Sequence, residues 1–464
     1  MTVCMLVSEM EPFAKTGGLA DVTGALPPAL GRKGIDVHLF LPRYASLLKQ
    51  KSPVKPHKNV TVHLIGHPFF SGRAGLYGDS KGDYPDNLER FGFFCRQALL
   101  TMRLKRIRPD ILHVHDWQGA PGIVYLKGGW GTDPFFCATR TVLTIHNLAY
   151  QGIFPRNRYP RLEIPGALFH LHGLEFYGKI NLLKGGLQFA DAVTTVSPTY
   201  AREIQTSEQG AGLDGVLRMR ARDVTGILNG LDPQAWNPAS DRALAVPFDR
   251  GCVERKRTNK EALQKEWGLP VSGDVFLVGM VTRLASQKGL DLVAAALPGM
   301  ESMKMQLVIL GSGDRPIEEA VMKAVRGRSF AAVRFVFDDS LARRIYAGAD
   351  AFLMPSRYEP CGLGQMIAMR YGTVPVVRAT GGLADTVTDA SDREKGNGFT
   401  FGPALPEELL KALRRAYDCY RHSDEWAVLQ RRGMEADFSW DVAADKYAAI
   451  YRQAGRQPLF PEPS

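Results

Sequence analysis

Three short stretches of the sequence hold residues whose types and spacing suit a phosphorylated ligand. The first is Lys15-Thr16-Gly17-Gly18, which follows an apolar run by a short loop and leads into a helical pattern. Paired glycines let the backbone approach a ligand closely. The free N–H groups of a helix N-terminus, with its positive dipole end, favour phosphate. Lys15 adds a full charge. The plainer alternative is a strand-to-helix turn with a surface lysine, since the string is neither a Walker A nor a G-x-G-x-x-G pattern. The hexapeptide TGGLAD that begins at Thr16 recurs at Thr380, with Ala379 in the place of Lys15. Thr380, Gly381 and Gly382 end an apolar run and open a helical pattern, so the same physics applies.

Arg283 and Lys288 lie in VTRLASQKGLD, at and just past the end of another apolar run. Two cations on one strand-end loop can reach one diphosphate and neutralise it as charge builds on a leaving group. The alternative is a surface pair flanking a turn. Glu359 precedes Pro360 in SRYEPCGL. A carboxylate in that rigid turn can hold sugar hydroxyls or steady a developing positive charge; a salt bridge to Arg357 is the plainer role. Cys361 has no neighbouring base and reads as a structural thiol. His146-Asn147 closes TVLTIHNL, and a lone strand-end histidine is ordinarily structural. His113-x-His115-Asp116 and His170-x-His172-x-x-Glu175 have metal-like spacings, but no further ligand set accompanies them. No Asp-x-Asp pair occurs either. No metal or cofactor is therefore expected, and protein cations must manage any departing diphosphate.

These residues need strands and helices to place them. Short β-rich runs, most ending in Gly, Ser, Asp, His or Asn, occur at 3–9, 37–42, 111–117, 141–148, 192–197 and 224–230. A second set occurs at 276–284, 306–314, 333–337, 351–356 and 374–382. Helix-like stretches separate them; Ser197-Pro198 is one helix start, with Ser as N-cap and Pro at the first helical position. Alternating β and α segments specify an α/β protein with doubly wound sheets, whose ligands bind beyond the carboxyl ends of the strands. Two strand sets predict two domains, with the switch near 235–250, where Pro233, Trp236-Asn237-Pro238 and Pro247 gather. The tail after Trp440, DVAADKYAAIYRQ, is helical without a partner strand and must pack on something already built. Pro27-Pro28 predicts a break in the helix after the first TGGLAD.

The bulk numbers agree with two soluble domains, since 464 residues exceed one ordinary core. The six cysteines, Cys4, Cys95, Cys137, Cys252, Cys361 and Cys419, are far apart and form no C-x-x-C. That argues against a disulfide framework or zinc ribbon and for a reducing compartment. No leader pattern precedes the first strand and no apolar run approaches a membrane span, so a cytoplasmic protein without a membrane partner is expected. The net charge is +10, but its basic clusters, such as Arg103/Lys105/Arg106/Arg108, are short and lack interleaved aromatics. Nucleic acid is not an expected partner, whereas a positive field suits a phosphorylated small substrate.

In order and combination, KTGGLADV (15–22), HDW (115–117), TIHNLAYQG (144–152), HGLEF (172–176), VSPTYAREI (196–204), ILNGLD (227–232), TRLASQKGLDLV (282–293), EPCGL (359–363), YGTVPVVRATGGLADTV (371–387) and DFSW (437–440) resemble the bacterial glycogen synthases and plant starch synthases. The resemblance spans nearly the whole chain. It implies the GT-B fold, two Rossmann-like doubly wound domains facing across a deep interdomain cleft. On this chain that means 1–240 as the acceptor-side domain with the KTGGL loop, 241–438 as the nucleotide-sugar domain, and 439–464 as a helix crossing back to the first domain. It implies transfer of glucose from ADP-glucose to the non-reducing 4-hydroxyl of glycogen or a linear α-1,4-glucan, with retention and without a metal.

Residue by residue, the resemblance assigns Arg283 and Lys288 to the donor diphosphate and Lys15 to the loop that closes on the donor. His146 falls beside the reacting carbon and the glucosyl 6-hydroxyl, and Glu359 faces the transferred sugar. Gly17, Gly18, Asp21, Asn229, Cys361, Gly362, Leu363, Gly364, Thr380, Gly381 and Gly382 fall on the donor side, with Phe337 against the adenine. Asp116, Asn147, Tyr77 and Tyr84 fall on the acceptor side. Two departures stand out. Gly364 replaces the family's threonine and keeps only a backbone N–H, and the stretch 66–87, which carries Tyr77 and Tyr84, is short.

The expected chemistry is a front-face displacement through an oxocarbenium-like transition state; a covalent intermediate would need Glu359 as nucleophile. Other readings remain: a related retaining glucosyltransferase using UDP-glucose or a small acceptor, a catalytically silent glucan-binding homologue, or a nicotinamide oxidoreductase. The intact set Lys15, His146, Arg283, Lys288 and Glu359 argues against the second. The missing G-x-G-x-x-G argues against the third. The two TGGLAD glycine pairs are expected to approach the donor from opposite sides of one cleft, each with a helix N-terminus toward the ligand.

Overall fold

Each strand set builds one sheet. The computed structural model describes residues 1–79 and 81–456, in two units: Met1–Gly230 with the segment from Trp440, and Leu231–Ser439. Residues 457–464 of the expected C-terminal helix 439–464 lie outside the described residues.

In the first unit the sheet runs, in spatial order, Val224–Gly226, Ala192–Thr195, Arg140–Ile145, Ile111–His115, Thr2–Leu6, Asp36–Pro42, Val60–Ile65 and Val54–His57. Every pairing is parallel except the last. Such strands read as near-continuous apolar runs because both faces are covered; Val3, Cys4, Met5, Leu6, Val37 and Leu39 are wholly buried. The order reverses at Thr2–Leu6, which pairs with Asp36–Pro42 on one side and Ile111–His115 on the other.

In the second unit the order is Ala331–Arg334, Gln306–Leu310, Leu277–Val281, Ala351–Met354, Val374–Arg378 and Phe399–Phe401, all parallel. This is the 3-2-1-4-5-6 order of a dinucleotide-binding sheet, reversing at Leu277–Val281. In both units the reversal defines a crevice at the carboxyl ends of the two central strands, and Lys15, Asp116, Arg283 and Glu359 lie on the segments that follow them.

The structure differs from the sequence reading in four places. Val54–His57, Val60–Ile65 and Phe399–Phe401 are additional sheet strands. The 333–337 run is displaced: its strand is Ala331–Arg334, and Val336 and Phe337 emerge exposed beyond it. The expected break at Pro27-Pro28 is absent, and one helix runs Gly18–Arg32. Proline inside a helix costs about 3 kcal/mol. Here Leu19, Val22, Leu26 and Leu30 are buried on the same helix, and each such burial is worth about 1.5–3 kcal/mol, enough together to hold the helix through the defect.

The fourth difference is the domain boundary, which falls at Leu231 rather than 241. Trp236 packs edge-on against Tyr346 and Tyr371, and Asp241 takes the Tyr371 hydroxyl at 2.5 Å and the Arg343 guanidinium at 3.1 Å. These contacts tie 231–240 to the second unit; the proline cluster marks an irregular surface loop, not the hinge.

The chain returns to the first unit at Trp440. Along the helix Trp440–Arg456, Trp440, Ala443, Ala444, Tyr447, Ala448 and Tyr451 form one buried stripe at helical spacing. Ion pairs Arg32–Asp441 and Lys33–Asp445, at 2.8 and 2.6 Å, lie at its exposed rim. Exposed pairs contribute little, so the apolar stripe anchors the helix.

Candidate active site

The crevice of the second unit is made by the loops after Leu277–Val281 and Ala351–Met354. Lys288 Nζ lies 2.5 Å from Glu359 Oε2, and Ser356 Oγ donates to the same oxygen at 2.9 Å. The backbones of the two loops are sewn together: Arg357 N donates to Gln287 O at 2.8 Å and Gln287 Nε2 to Tyr358 O at 2.9 Å. The plainer sequence alternative, Glu359 paired with Arg357, does not occur; Arg357 forks onto Asp291 at 2.8 and 2.6 Å. Arg283 is exposed, and among the described residues nothing pairs with its guanidinium. The crevice therefore offers one committed cation and one uncommitted cation to an anion.

The second glycine pair does not behave as expected. Gly381 has φ +45, and a Cβ there would lie 1.9 Å from Glu359 O; a Cβ on Gly382 would lie 2.0 Å from Cys361 O. Gly382 N–H donates to Glu359 O at 3.1 Å. The glycines let one backbone pass against another, and the N–H assigned to the donor is spent on the Glu359 loop. Thr380 and Cys361 are buried in the same packing. Gly362, at φ +72, and Leu363 complete the turn into the helix Gly364–Arg370. At Gly364 a Cβ would meet the buried Phe352 ring at 2.9 Å, so this chain fills with an aromatic ring the space a threonine would need. Phe337 is 85% exposed, its ring free of any core.

The crevice of the first unit is organised by a residue that sequence reasoning missed. Glu9 is buried, and its carboxylate accepts from Thr16 N at 2.5 Å, Thr16 Oγ1 at 2.7 Å, Gly17 N at 3.1 Å and the Tyr77 hydroxyl at 2.7 Å. Hydrogen bonds to a carboxylate are the strong ones, so Glu9 fixes the KTGG loop from beneath. Above it, a Cβ on Gly17 or Gly18 would meet nothing within 4 Å. Lys15 Nζ reaches Asp21 at 2.7 Å and Glu11 at 3.5 Å. Burial pushes the Asp21 carboxyl up, and the Lys15 ammonium offsets only part of that rise. Tyr77 turns its hydroxyl inward to Glu9 and to Ser8 Oγ at 2.7 Å, a strut of the loop. Tyr84 is stacked by the guanidiniums of Arg73 and Arg90, 4.5 and 5.0 Å from its ring centre.

Across the same crevice, the strands Ile111–His115 and Arg140–Ile145 end in two histidines joined ring to ring, His115 Nδ1 to His146 Nε2 at 2.9 Å. Asp116 adopts φ +52, a left-handed conformation that a non-glycine residue holds only when its surroundings demand it. The demand is visible: Asp116 Oδ1 accepts from His146 N at 2.7 Å, and the carboxylate also takes the Asn147 N–H. Burial pushes the Asp116 carboxyl up to about 7 against the pull of those two donors. Burial drives the His146 imidazole down to about 3, so it is neutral.

Asn147 turns its amide oxygen back to Ala149 N. Asn229 is buried, and its Oδ1 has no partner among the described residues. His113 has both ring nitrogens bonded, to Tyr451 Oη at 2.8 Å and Thr144 Oγ1 at 2.6 Å, which leaves neither for a metal. Among the described residues no three His, Cys, Asp or Glu side chains group as a metal site.

Two Rossmann-like sheets, each with polar loops at its point of reversal and one of them carrying a lysine–glutamate pair beside an uncommitted arginine, define a glycosyltransferase of the GT-B class. Residues 2–219 match the family model described as starch synthase catalytic domain, and residues 275–419 match glycosyl transferases group 1. The chain is 49% identical to a glycogen synthase of Anaeromyxobacter dehalogenans, covering 97% of this chain and 99% of that one. It is 47% identical to a glycogen synthase of Geotalea daltonii, covering 97% and 98%. Among solved structures it is similar to the catalytic domain of starch synthase IV from Arabidopsis thaliana bound to ADP and acarbose, with a TM-score of 0.86, 34% identity, and 98% and 99% of the two chains covered. The chain belongs to the glycogen synthase and starch synthase family of glucosyltransferases.

Proposed function

We propose that this enzyme is a glycogen synthase that transfers glucose from ADP-glucose to the non-reducing 4-hydroxyl of an α-1,4-glucan, with retention and without a metal. The observation that carries the reading is the Lys288–Glu359 pair at the sheet reversal of the second unit, with the Arg283 guanidinium uncommitted on the same loop as Lys288. An arriving diphosphate finds Arg283 ready to bind and Lys288 held at a fixed point by Glu359. The two cations then neutralise the charge that builds as ADP leaves, which preorganised donors do best because they need no rearrangement. Glu359, fixed by Lys288 and Ser356, positions the transferred sugar, and the family resemblance assigns His146 to the same sugar. The acceptor hydroxyl enters on the face from which ADP departs and passes its proton to the leaving phosphate. Glu359 Oε2 already accepts two hydrogen bonds, which suits a positioning carboxylate better than a nucleophile.

The solved relative bound to ADP supports an adenine nucleotide as donor. Among the described residues no helix is long and apolar enough to cross a membrane. All six cysteines are free, in keeping with a reducing cytoplasm.

The test is incubation with glycogen and either labelled ADP-glucose or labelled UDP-glucose, with and without EDTA. Label enters the glucan from ADP-glucose and EDTA has no effect. Incorporation from UDP-glucose alone, or loss of incorporation with EDTA, sinks the reading.

A further inference from the structure

The histidines that close two neighbouring strands of the first unit share one hydrogen bond, and that bond fixes where their protons sit. His115 Nδ1 and His146 Nε2 are 2.9 Å apart, with the rings stacked at 5.2 Å between centres. Both rings are neutral, since burial drives His146 down to about 3 and His115 well below the ordinary imidazole range. Each ring therefore carries a single proton. The remaining nitrogen of His115, Nε2, is buried and has no hydrogen-bond partner among the described residues.

Two arrangements satisfy the shared bond. In the first, His146 Nε2–H donates to His115 Nδ1, and the His115 proton sits on Nε2 as a buried N–H without an acceptor. In the second, His115 Nδ1–H donates to His146 Nε2, and what stays unpaired at His115 is a lone pair. A buried N–H without an acceptor loses its hydrogen bond to water and gains nothing in return. Folded proteins tolerate an under-used acceptor more readily than an orphaned N–H.

We infer that His115 is a positioning residue that locks His146 into its Nδ1–H tautomer, so that His146 meets the sugar as a neutral hydrogen-bond donor to a hydroxyl oxygen. The inference rests on the proposed contact between His146 and the transferred sugar. The geometry around the ring supports it. His146 N–H is clamped by Asp116 Oδ1 at 2.7 Å, its Nε2 is taken by His115, and the described residues give Nδ1 no partner. His146 as a residue is only partly buried, and its Nδ1 is not a fully enclosed atom, so it is open to a ligand. A His146 held this way has no free lone pair and cannot act as a general base. It fixes the sugar and leaves the acceptor's proton to the departing phosphate.

Ring tautomers can be read directly in the full-length protein with 15N-labelled histidine, by long-range 1H–15N correlation, assigning His146 by the signals lost in His146→Asn. The expected spectrum shows His146 with a protonated Nδ1 and a bare Nε2. A protonated Nε2 on His146 overturns the inference, whatever the donor assays give, so this failure is distinct from failure of the proposed function.

Kinetics test the consequence. His115→Leu removes the donor, and kcat falls about tenfold, the worth of one hydrogen bond. His115→Asn, whose amide N–H falls where Nδ1–H was, recovers most of that loss, while His115→Asp, an acceptor at the same place, does not. Equal turnover in the Asn and Asp variants, at matched unfolding temperatures, overturns the assignment.

Discussion

At Gly17 and Gly18 an added Cβ would meet nothing within 4 Å, whereas at Gly381 and Gly382 it would strike the carbonyl oxygens of Glu359 and Cys361 at 1.9 and 2.0 Å. The two sites share the string TGGLAD and the same placement, a strand handing over to a helix. In the first copy the glycines face outward, and a side chain, the Glu9 carboxylate, holds their loop from behind. In the second copy the glycines face inward, and their own backbone is the support, with Gly382 N–H on Glu359 O. The first is a surface onto which a ligand can come down. The second is a brace that sets where Glu359, and through it Lys288, stands. A local string specifies that backbone can approach something closely; the surrounding fold decides whether that something is a ligand or the chain itself.

The sharpest way to break this comparison is to add a methyl group to the second copy. Gly381→Ala forces a left-handed residue, worth about 1–2 kcal/mol. It also drives the Glu359 loop outward by the clash with its carbonyl. Total destabilisation of about 2–4 kcal/mol is expected from thermal or urea unfolding. Misplacement of an active-site loop by about 1 Å costs on the order of 10²-fold in kcat, similar to removing Lys288 outright, for which about 10²–10³-fold is expected. Wild-type turnover in Gly381→Ala would show that the second pair braces nothing.

A second test moves to the support of the first copy. Glu9→Gln keeps the shape but replaces one acceptor oxygen with an N–H₂ aimed at donors. Charge-assisted hydrogen bonds are worth about 1.5–3 kcal/mol, so stability falls by roughly that amount or less. kcat falls about tenfold as the KTGG loop loosens, a change of about 1.4 kcal/mol in the barrier. If Glu9→Gln leaves both kcat and the unfolding temperature unchanged, the loop is held by something other than Glu9.

Much of the site was legible because doubly wound sheets put ligands at strand ends and the strands announce themselves as apolar runs. Arg283 and Glu359 were found that way; His146 came from the family resemblance, and His115 was read only as part of a metal-like spacing. What escaped were contacts that only topology creates. Lys288 and Glu359 are 71 positions apart, and Glu9 and Tyr77 are 68 apart; no spacing rule joins either pair. Glu9 was also hidden inside the first strand-like run, where its carboxylate reads as the polar end of a strand. The strand Val60–Ile65 was within reach, since VTVHLI carries β-branched and apolar residues through its length. The helix through Pro27-Pro28 was not, because a local rule gave way to burial along the rest of the element. The boundary near 241 failed because a proline cluster marks irregular backbone, and irregular backbone also occurs within a domain.

The smallest expected change in the fold is also the most direct reading of the first copy. Gly18→Ala adds a methyl group where the structure has open space, at the start of the helix Gly18–Arg32. No clash opposes it, and replacing glycine within a helix stabilises by about 0.5–1 kcal/mol. The unfolding temperature therefore stays level or rises slightly, the opposite of Gly381→Ala. If the donor descends onto this backbone, the added methyl group meets it, and KM for ADP-glucose rises by about tenfold or more, the cost of one misfitting methyl group in a snug pocket. KM for the glucan and the fold stay as they were. A variant with an unchanged KM for ADP-glucose would mean that the open face of Gly17 and Gly18 is not where the donor lies. The two copies would then differ in surroundings but not in serving the ligand.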